Sequence, residues 1–247
     1  MDRVGSRHSM KRFLLIFGAC LGAAQAHDII TTAITFDREI VRIMQARCLS
    51  CHHPDGMAFS LTTYTEARPW AEAIKEEVLG RTMPPWGAIK GFGDFRNDQA
   101  LTPEQIELIE SWADGGVPEG EPADLPPKVA WPAFSVFEIP HGAVKMTGDL
   151  TLSHAFTLDG LYPLSVPEKV SAKITVELPD GTIEPLLWLK DYRAKYAHPF
   201  LLRTPLDLPA GTVIRGVPDG ATVLLLPPDP SAPAQTAQTP VPAVRAQ

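Results

Sequence analysis

The chain has 247 residues, a formal net charge of −7, 45% hydrophobic residues and 21% charged residues. This balance is typical of globular proteins and excludes a chain that is disordered throughout. The acidic charge argues against nucleic acid and anionic lipid as partners and favours a protein partner with a basic docking face. Its 25 prolines, about twice the average usage of about 5%, predict many loops and turns.

The first 26 residues have the order of a secretory signal peptide. Lys11 and Arg12 precede the apolar run Phe13–Ala24, and Ala26 completes a small-residue cleavage pattern. The run is shorter than the ~20 residues that span a bilayer. We therefore predict cleavage after Ala26 and export to the periplasm, with no stable membrane span afterwards. A membrane anchor formed by an uncleaved signal is the alternative.

Residues 27–120 are predicted to be helical. An apolar stripe predicts a helix from about Phe36 to Arg47, with Thr35 as its N-cap. A second helix is expected from Pro69 to about Gly80, with Trp70, Ile74 and Val78 on one face.

The third predicted helix has the clearest boundaries. Thr102 and Gln105 have the spacing of a capping box, and Pro103 occupies the first helical position. Gly115 and Gly116 are expected to end it.

A proline-rich connector, residues 121–128, separates this region from residues 129–228, where the apolar period changes from 3.6 to 2. Short alternating segments with turn signals predict a small sandwich or barrel. Residues 229–247 have the composition of a disordered tail. The predicted fold class is therefore an all-α domain followed by a small all-β domain. The strands are expected at Phe134–Ile139, Asp149–Leu152, Lys169–Leu178, Ile183–Leu189, Phe200–Arg203, Thr212–Val217 and Ala221–Leu226.

Cys48 and Cys51 are the cysteines that remain after signal removal, too few for a disulfide framework. With His52 they form C-x-x-C-H, the attachment signature of c-type haem. After a helix, this spacing lets two cysteines reach the two vinyl groups of one porphyrin, while the histidine lies under the iron. One covalent haem c, with His52 as proximal iron ligand, is the predicted cofactor.

Three other interpretations of the two cysteines are weaker. A thioredoxin-like pair is expected in a βαβ context, but a predicted helix precedes Cys48. A zinc site needs four ligands, and the motif supplies three at most. A disulfide between Cys48 and Cys51 would close a small, strained loop. We expect the adjacent His53 to be a solvated side chain rather than a ligand.

Met83 is the predicted distal ligand of the iron. It lies in Met83-Pro84-Pro85-Trp86, where two prolines make a stiff loop; core packing is the alternative for any methionine. Trp86 is a candidate to line the haem, with ordinary core packing as its alternative. Arg81 is a candidate to pair with a haem propionate, with a plain surface position as its alternative.

These residues resemble a class I monohaem cytochrome c over about residues 34–120. The resemblance rests on C-x-x-C-H, the Met-Pro-Pro loop and the last helix, and it implies thioethers at Cys48 and Cys51 with His52 and Met83 as axial ligands. It makes residues 27–120 an expected all-α cytochrome c domain. The insertion Gly87–Ala100 departs from the family pattern, and we expect it to shape the haem edge or a partner surface.

The segments Met83–Trp86 and Ser111–Gly120 are similar to cytochrome modules fused to copper type II monooxygenase-like β domains. Copper there needs clustered histidines and a methionine. The β region of this chain has His141, His154 and His198 only singly. We therefore expect a non-catalytic β domain that serves docking or scaffolding.

The functional prediction is an exported electron carrier with no catalytic residue of its own, which transfers single electrons through Fe(III)/Fe(II) to or from a redox protein. His/Met ligation raises the reduction potential of a haem. Two alternatives stay open: an electron-feeding or catalytic haem subunit of a periplasmic oxidoreductase of the copper monooxygenase-like kind, and a haem-based sensor.

Overall fold

The structure is a computed structural model, and it describes residues 32–131, 133 and 136–229. The predicted signal peptide and residues 230–247 of the predicted tail lie outside these ranges. Among the described helices, none has the length and apolar character needed to cross a membrane.

Four short α-helices occupy the first part of the described chain. They are α1 (Val41–Arg47), α2 (Tyr64–Ala67), α3 (Ala71–Leu79) and α4 (Pro103–Asp114). A turn of π-helix, Phe36–Ile40, leads into α1, and turns of 3₁₀-helix lie at Arg68–Trp70, Pro122–Asp124 and Ala194–Tyr196.

Helix α4 begins as the sequence predicts. Thr102 Oγ1 accepts the N–H of Gln105 at 3.3 Å, and Gln105 Oε1 accepts the N–H of Thr102 at 3.0 Å. These two bonds satisfy two of the free donors of the first turn. The capping-box prediction is confirmed.

The first predicted helix has the predicted bounds, from Phe36 to Arg47, and Thr35 is at its N-cap position. The Thr35 hydroxyl has no hydrogen-bond partner among the described residues; the N–H of Thr35 donates instead to Glu39 Oε2 at 2.9 Å. The second helical segment starts before Pro69, because Thr63 and Glu66 form a capping box for α2. Of the residues predicted to share one face of this helix, Val78 is buried, whereas Trp70 is 46% exposed.

Eight strands form two antiparallel four-stranded sheets, one in the order β1-β8-β3-β6 and the other in the order β2-β7-β4-β5. The strands are β1 (Val144–Met146), β2 (Leu150–Thr151), β3 (Phe156–Ser165), β4 (Ala172–Glu177), β5 (Ile183–Leu189), β6 (Phe200–Leu208), β7 (Val213–Arg215) and β8 (Thr222–Leu226).

Strand β5 has the predicted bounds, whereas β3 was not predicted because Gly160 and Pro163 interrupt its pattern. The strand predicted at Phe134–Ile139 is wrong for residues 136–139, which are not a strand, and residues 134 and 135 lie outside the described residues.

Two apolar clusters hold the described chain together. The helical core packs Phe36, Ile40, Ile109 and Trp112 among other side chains of residues 36–112. The β core lies between the two sheets.

The predicted fold class is wrong, since no separate all-α domain is present among the described residues. The segment between α3 and α4 contains no helix, and two of its aromatic side chains, Trp86 and Phe95, are buried in the β core. Strands hold more of the described residues than α-helices do. Large apolar side chains in the inter-helix segment explain the difference, because they are buried against the sheets rather than the helices.

The segment 87–100 covers two sheet edges; its predicted role in shaping a haem edge or partner surface stays a prediction. Ala88 pairs with Leu189 of β5, and Phe95 pairs with Leu202 of β6. Both β5 and β6 are edge strands, each of a different sheet. The segment thus gives partners to backbone groups that an open edge would leave unpaired.

Candidate functional site

Cys48, Cys51 and His52 lie together in one tight turn, here called the cysteine turn (residues 48–52). Cys48 is the C-cap of α1, and its carbonyl oxygen accepts the N–H groups of Cys51 at 3.1 Å and of His52 at 3.0 Å. Both thiols are free and half-buried. The end of a helix therefore presents two thiols and one imidazole from five consecutive residues.

The loop after the cysteine turn folds back onto it. Cys51 O accepts the N–H of Ala58, and His52 O accepts the N–H of Leu61, both at 3.1 Å. Gly56 lies so close to this turn that a Cβ at its position would overlap the carbonyl oxygen of Cys51. These contacts fix the backbone that carries the thiols and the imidazole.

The ring of His52 is oriented by the same loop. Its Nδ1 lies 2.9 Å from the carbonyl oxygen of Phe59, which can only accept, so Nδ1 carries the proton and donates. Nε2 then keeps its lone pair. Burial lowers the pKa of His52, against a smaller opposing effect of the bond to Phe59. The neutral imidazole with a free Nε2 is the form that ligates a metal.

Aromatic side chains continue from His52 along the surface. The Phe59 ring meets His52 edge-on with centroids 5.0 Å apart, and Trp70 lies 4.6 Å beyond it. Phe59 is 51% exposed and Trp70 46%. Adjacent exposed aromatic residues are a common mark of a binding surface.

Two buried side-chain nitrogens beside the cysteine turn have no hydrogen-bond partner among the described residues. They are Nε of Arg47, directly before Cys48, and Nε2 of His53, directly after His52. His53 is only 4% exposed, so the prediction of a solvated side chain is wrong. Its loop, held by the Gly56 N–H to His53 O bond, turns the ring inward.

The electrostatics of Cys48 disfavour thiolate chemistry. Burial, with a smaller effect of Cys51, raises the pKa of the Cys48 thiol to about 12. Reactive cysteines have a lowered pKa, because the thiolate is the nucleophile. The turn also follows α1 directly, without the preceding strand that a thioredoxin-like pair has.

The residues present fit a covalently attached haem. The thiols are free, His52 has the ligand tautomer, and apolar surface adjoins the imidazole. Of the predicted site residues, the structure brings Cys48, Cys51 and His52 together.

Met83, Trp86 and Arg81 lie on the segment that follows α3. Met83 is half-buried, and its N–H donates to Glu77 O at 3.2 Å. Trp86 is 5% exposed in the β core, stacked on His198 with centroids 4.9 Å apart. That placement matches the core-packing alternative. Arg81 is exposed and lines a cavity described below.

The histidines of the β region do not converge. His141 and His154 are exposed, while His198 is half-buried, with Nε2 3.1 Å from Trp86 O. Across the described ranges, no three His, Cys, Asp or Glu side chains are grouped so as to hold a metal ion. A haem iron needs at most two protein ligands, so this finding concerns copper and zinc sites only.

Two features of the site were missed from the sequence. The role of Phe59 comes from its backbone oxygen, which no side-chain pattern reveals. The capping box of Thr63 and Glu66, by contrast, is readable as T-x-x-E.

Comparison with known protein families, curated proteins and solved structures finds no match to this chain. The family resemblance therefore stays a prediction.

Proposed function

We propose that the chain attaches one haem c covalently at the cysteine turn and serves as an exported carrier of single electrons. The observation that carries this proposal is the 2.9 Å bond from His52 Nδ1 to Phe59 O, which leaves Nε2 free beside two free thiols. When bound, the haem supplies one-electron Fe(III)/Fe(II) chemistry.

The two cysteines hold the cofactor. Each thiol adds across one vinyl group: an S–C bond forms, the S–H bond breaks, and the hydrogen goes to the other vinyl carbon. No oxidant is consumed. Burial raises the pKa of the Cys48 thiol to about 12, so the thiol is protonated at neutral pH.

His52, with its ring fixed by Phe59, would hold the haem iron from one side. The exposed rings of Phe59 and Trp70 would give the porphyrin an apolar surface that excludes water. Met83 is the proposed second iron ligand. With His52 and Met83 both bound, the iron would have no site open to a substrate, which favours electron transfer over catalysis.

The partner is expected to be a redox protein with a basic face. The chain carries a net charge of −7, and opposite charge accelerates the encounter of two proteins in a salt-dependent way. Electron transfer to this partner should therefore slow as salt is added.

The test is expression of the full chain in a host with c-haem maturation machinery, followed by optical spectra and by haem staining after denaturation. We expect covalent haem in the wild type, none in the double variant Cys48→Ser/Cys51→Ser, and an unchanged product for the control Ser50→Ala. A mature protein with the mass of the polypeptide alone contradicts the proposal. A spectrum that shifts with carbon monoxide would be consistent with haem attachment. It would show an open iron position, however, and so exclude an electron carrier whose iron has two protein ligands.

A further inference from the structure

A cavity of about 290 Å³ lies where the helical core meets the β sheets. Most of its lining comes from the segment between α3 and α4 and from the loop after β5, with Val78 of α3 and Ile106 of α4. Cys48, Cys51, His52 and Met83 are not among the described residues that line it. We call it the junction cavity; it is separate from the cysteine turn.

Positive charge dominates the lining of the junction cavity. Arg81, Lys90, Lys190 and Arg193 line it together with one carboxylate, Asp191. Lys90 is paired with Asp98 at 2.5 Å. Within the described ranges the other three cations have no ion pair. Three unpaired cations around one cavity in an acidic chain attract an anion.

The inner lining is apolar. Val78, Leu101 and Ile106 come from the helical core, and Trp86 comes from the β core; all four are buried. Sites for small organic ligands have this composition, an apolar lining with a few convergent polar groups, and typical volumes of about 300–1,000 Å³. The junction cavity lies at the small end of that range.

The backbone is strained at two of the residues that line the junction cavity. Arg81 has φ 54° and Asp191 has φ 47°. Left-handed backbone is uncommon for residues other than glycine. Four described non-glycine residues adopt positive φ, and two of them line this cavity. Such strain collects at functional sites, where side-chain placement outweighs local stability.

We propose that the junction cavity binds a small organic acid, with its carboxylate or phosphate against Arg81, Lys190 and Arg193 and its apolar body against the buried side chains. Guanidinium groups recognise both head groups through paired N–H donors. The proposal does not depend on haem attachment, since its residues are separate from the cysteine turn.

The experiment is calorimetric titration of the mature full chain with phenylacetate, phenyl phosphate and the neutral control phenylacetamide. We expect saturable binding of one acid per chain, weakened by added salt, and none of the amide. The acid that binds more tightly shows whether the cavity prefers a carboxylate or a phosphate. If neither acid binds at up to about 10 mM, or if the amide binds equally well, the proposal is wrong.

Variants locate the binding. Arg81, after α3, and Arg193, after β5, both line the cavity. Arg81→Gln and Arg193→Gln are each expected to weaken binding about tenfold by removing a charged hydrogen-bond donor. Lys195→Gln is the matched control, because Lys195 neighbours Arg193 in the chain but does not line the cavity; its effect should stay within roughly twofold. If Lys195→Gln weakens acid binding as much as the two arginine variants do, the acid does not bind in the junction cavity.

The double variant Cys48→Ser/Cys51→Ser is titrated beside the wild type. Equal binding by both proteins supports a ligand distinct from the haem. Binding by the double variant alone overturns the proposal, because the cations would then serve the carboxylates of the haem itself.

Discussion

The guanidinium of Arg96 forms a two-point ion pair with the carboxylate of Asp159. Nη1 lies 2.9 Å from Oδ1 and Nη2 lies 2.6 Å from Oδ2. The pair joins the segment between α3 and α4 to strand β3, and Arg96 Nη1 also donates to Leu202 O on β6. Because Asp159 is only 7% exposed, this contact is a buried link between the inter-helix segment and the β sheets.

Arg96→Met is expected to lower the free energy of unfolding by about 3 kcal/mol, because it leaves the carboxylate of Asp159 buried without a partner. The double variant Arg96→Met/Asp159→Leu should recover part of the loss. Urea unfolding measures both.

The matched control is Arg203→Met, which breaks the exposed pair with Asp94 and should cost at most about 1 kcal/mol. If Arg96→Met and Arg203→Met lower the free energy of unfolding equally, the buried ion pair stabilises the protein no more than the exposed pair does.

The sequence predicts those parts of the structure that depend on neighbouring residues. The capping box of Thr102, the bounds of β5 and the convergence of Cys48, Cys51 and His52 all arise within a few residues. The fold class was wrong because it depends on where Trp86 and Phe95 are buried. Their partners His198 and Phe200 lie over 100 positions away along the chain.

The same distinction applies to the candidate site. The tautomer of His52 depends on a backbone oxygen at Phe59, which the motif does not specify. The junction cavity combines Arg81 with Arg193, residues that the sequence separates and the fold brings to one cavity. Local spacing cannot predict either relationship.

Two threonines that precede helical turns should respond differently to the same substitution. Thr102→Val removes the hydroxyl that caps α4 and should cost about 1 kcal/mol of unfolding free energy. Thr35→Val removes a buried hydroxyl without a partner and should be neutral or stabilising by up to about 1 kcal/mol. Thermal and urea unfolding of both variants measure the difference; similar losses would contradict the assigned caps.

Stability should fall as the pH decreases from 7.5 to 5.5, in part through His198. Burial lowers the pKa of His198 below its usual 6.5, against smaller opposing effects of carbonyl oxygens at Pro199, Trp86 and Pro85. Below pH 6.5 the unfolded chain therefore binds a proton that the folded chain does not. The folded state loses up to roughly 1.4 kcal/mol per pH unit until its own pKa is reached.

Replacement of His198 by Gln should flatten this part of the pH profile, since Gln keeps a donor for Trp86 O and does not titrate. The control is His154→Gln, at an exposed histidine, which should leave the profile unchanged. His52, whose pKa is lowered too, is intact in both variants. A profile that His198→Gln does not alter would contradict the role of His198.

Arg81→Gly is expected to raise the free energy of unfolding while it weakens binding of an organic acid in the junction cavity about tenfold. Glycine adopts φ 54° without the steric cost that an L side chain has, and the expected gain is about 1 kcal/mol. Lys169→Gly is the control, because Lys169 has φ 61° but does not line the cavity. Lys169→Gly should also raise the free energy of unfolding, but it should leave acid binding unchanged. If Lys169→Gly loses binding, acid binding does not depend on the cations that line the cavity.

Met83→Leu tests the proposed second axial ligand. The variant should keep haem attached, since Cys48 and Cys51 are unchanged, but it should lose the Met–Fe(III) charge-transfer band and become sensitive to carbon monoxide. Its reduction potential should fall, because the thioether favours the reduced iron. Met57→Leu is the matched control: Met57 is 44% exposed and lies five residues after His52, too near in the chain to reach the opposite haem face. If Met57→Leu rather than Met83→Leu changes the spectrum, the assignment of Met83 as the second ligand is wrong, and Met57 is the ligand instead.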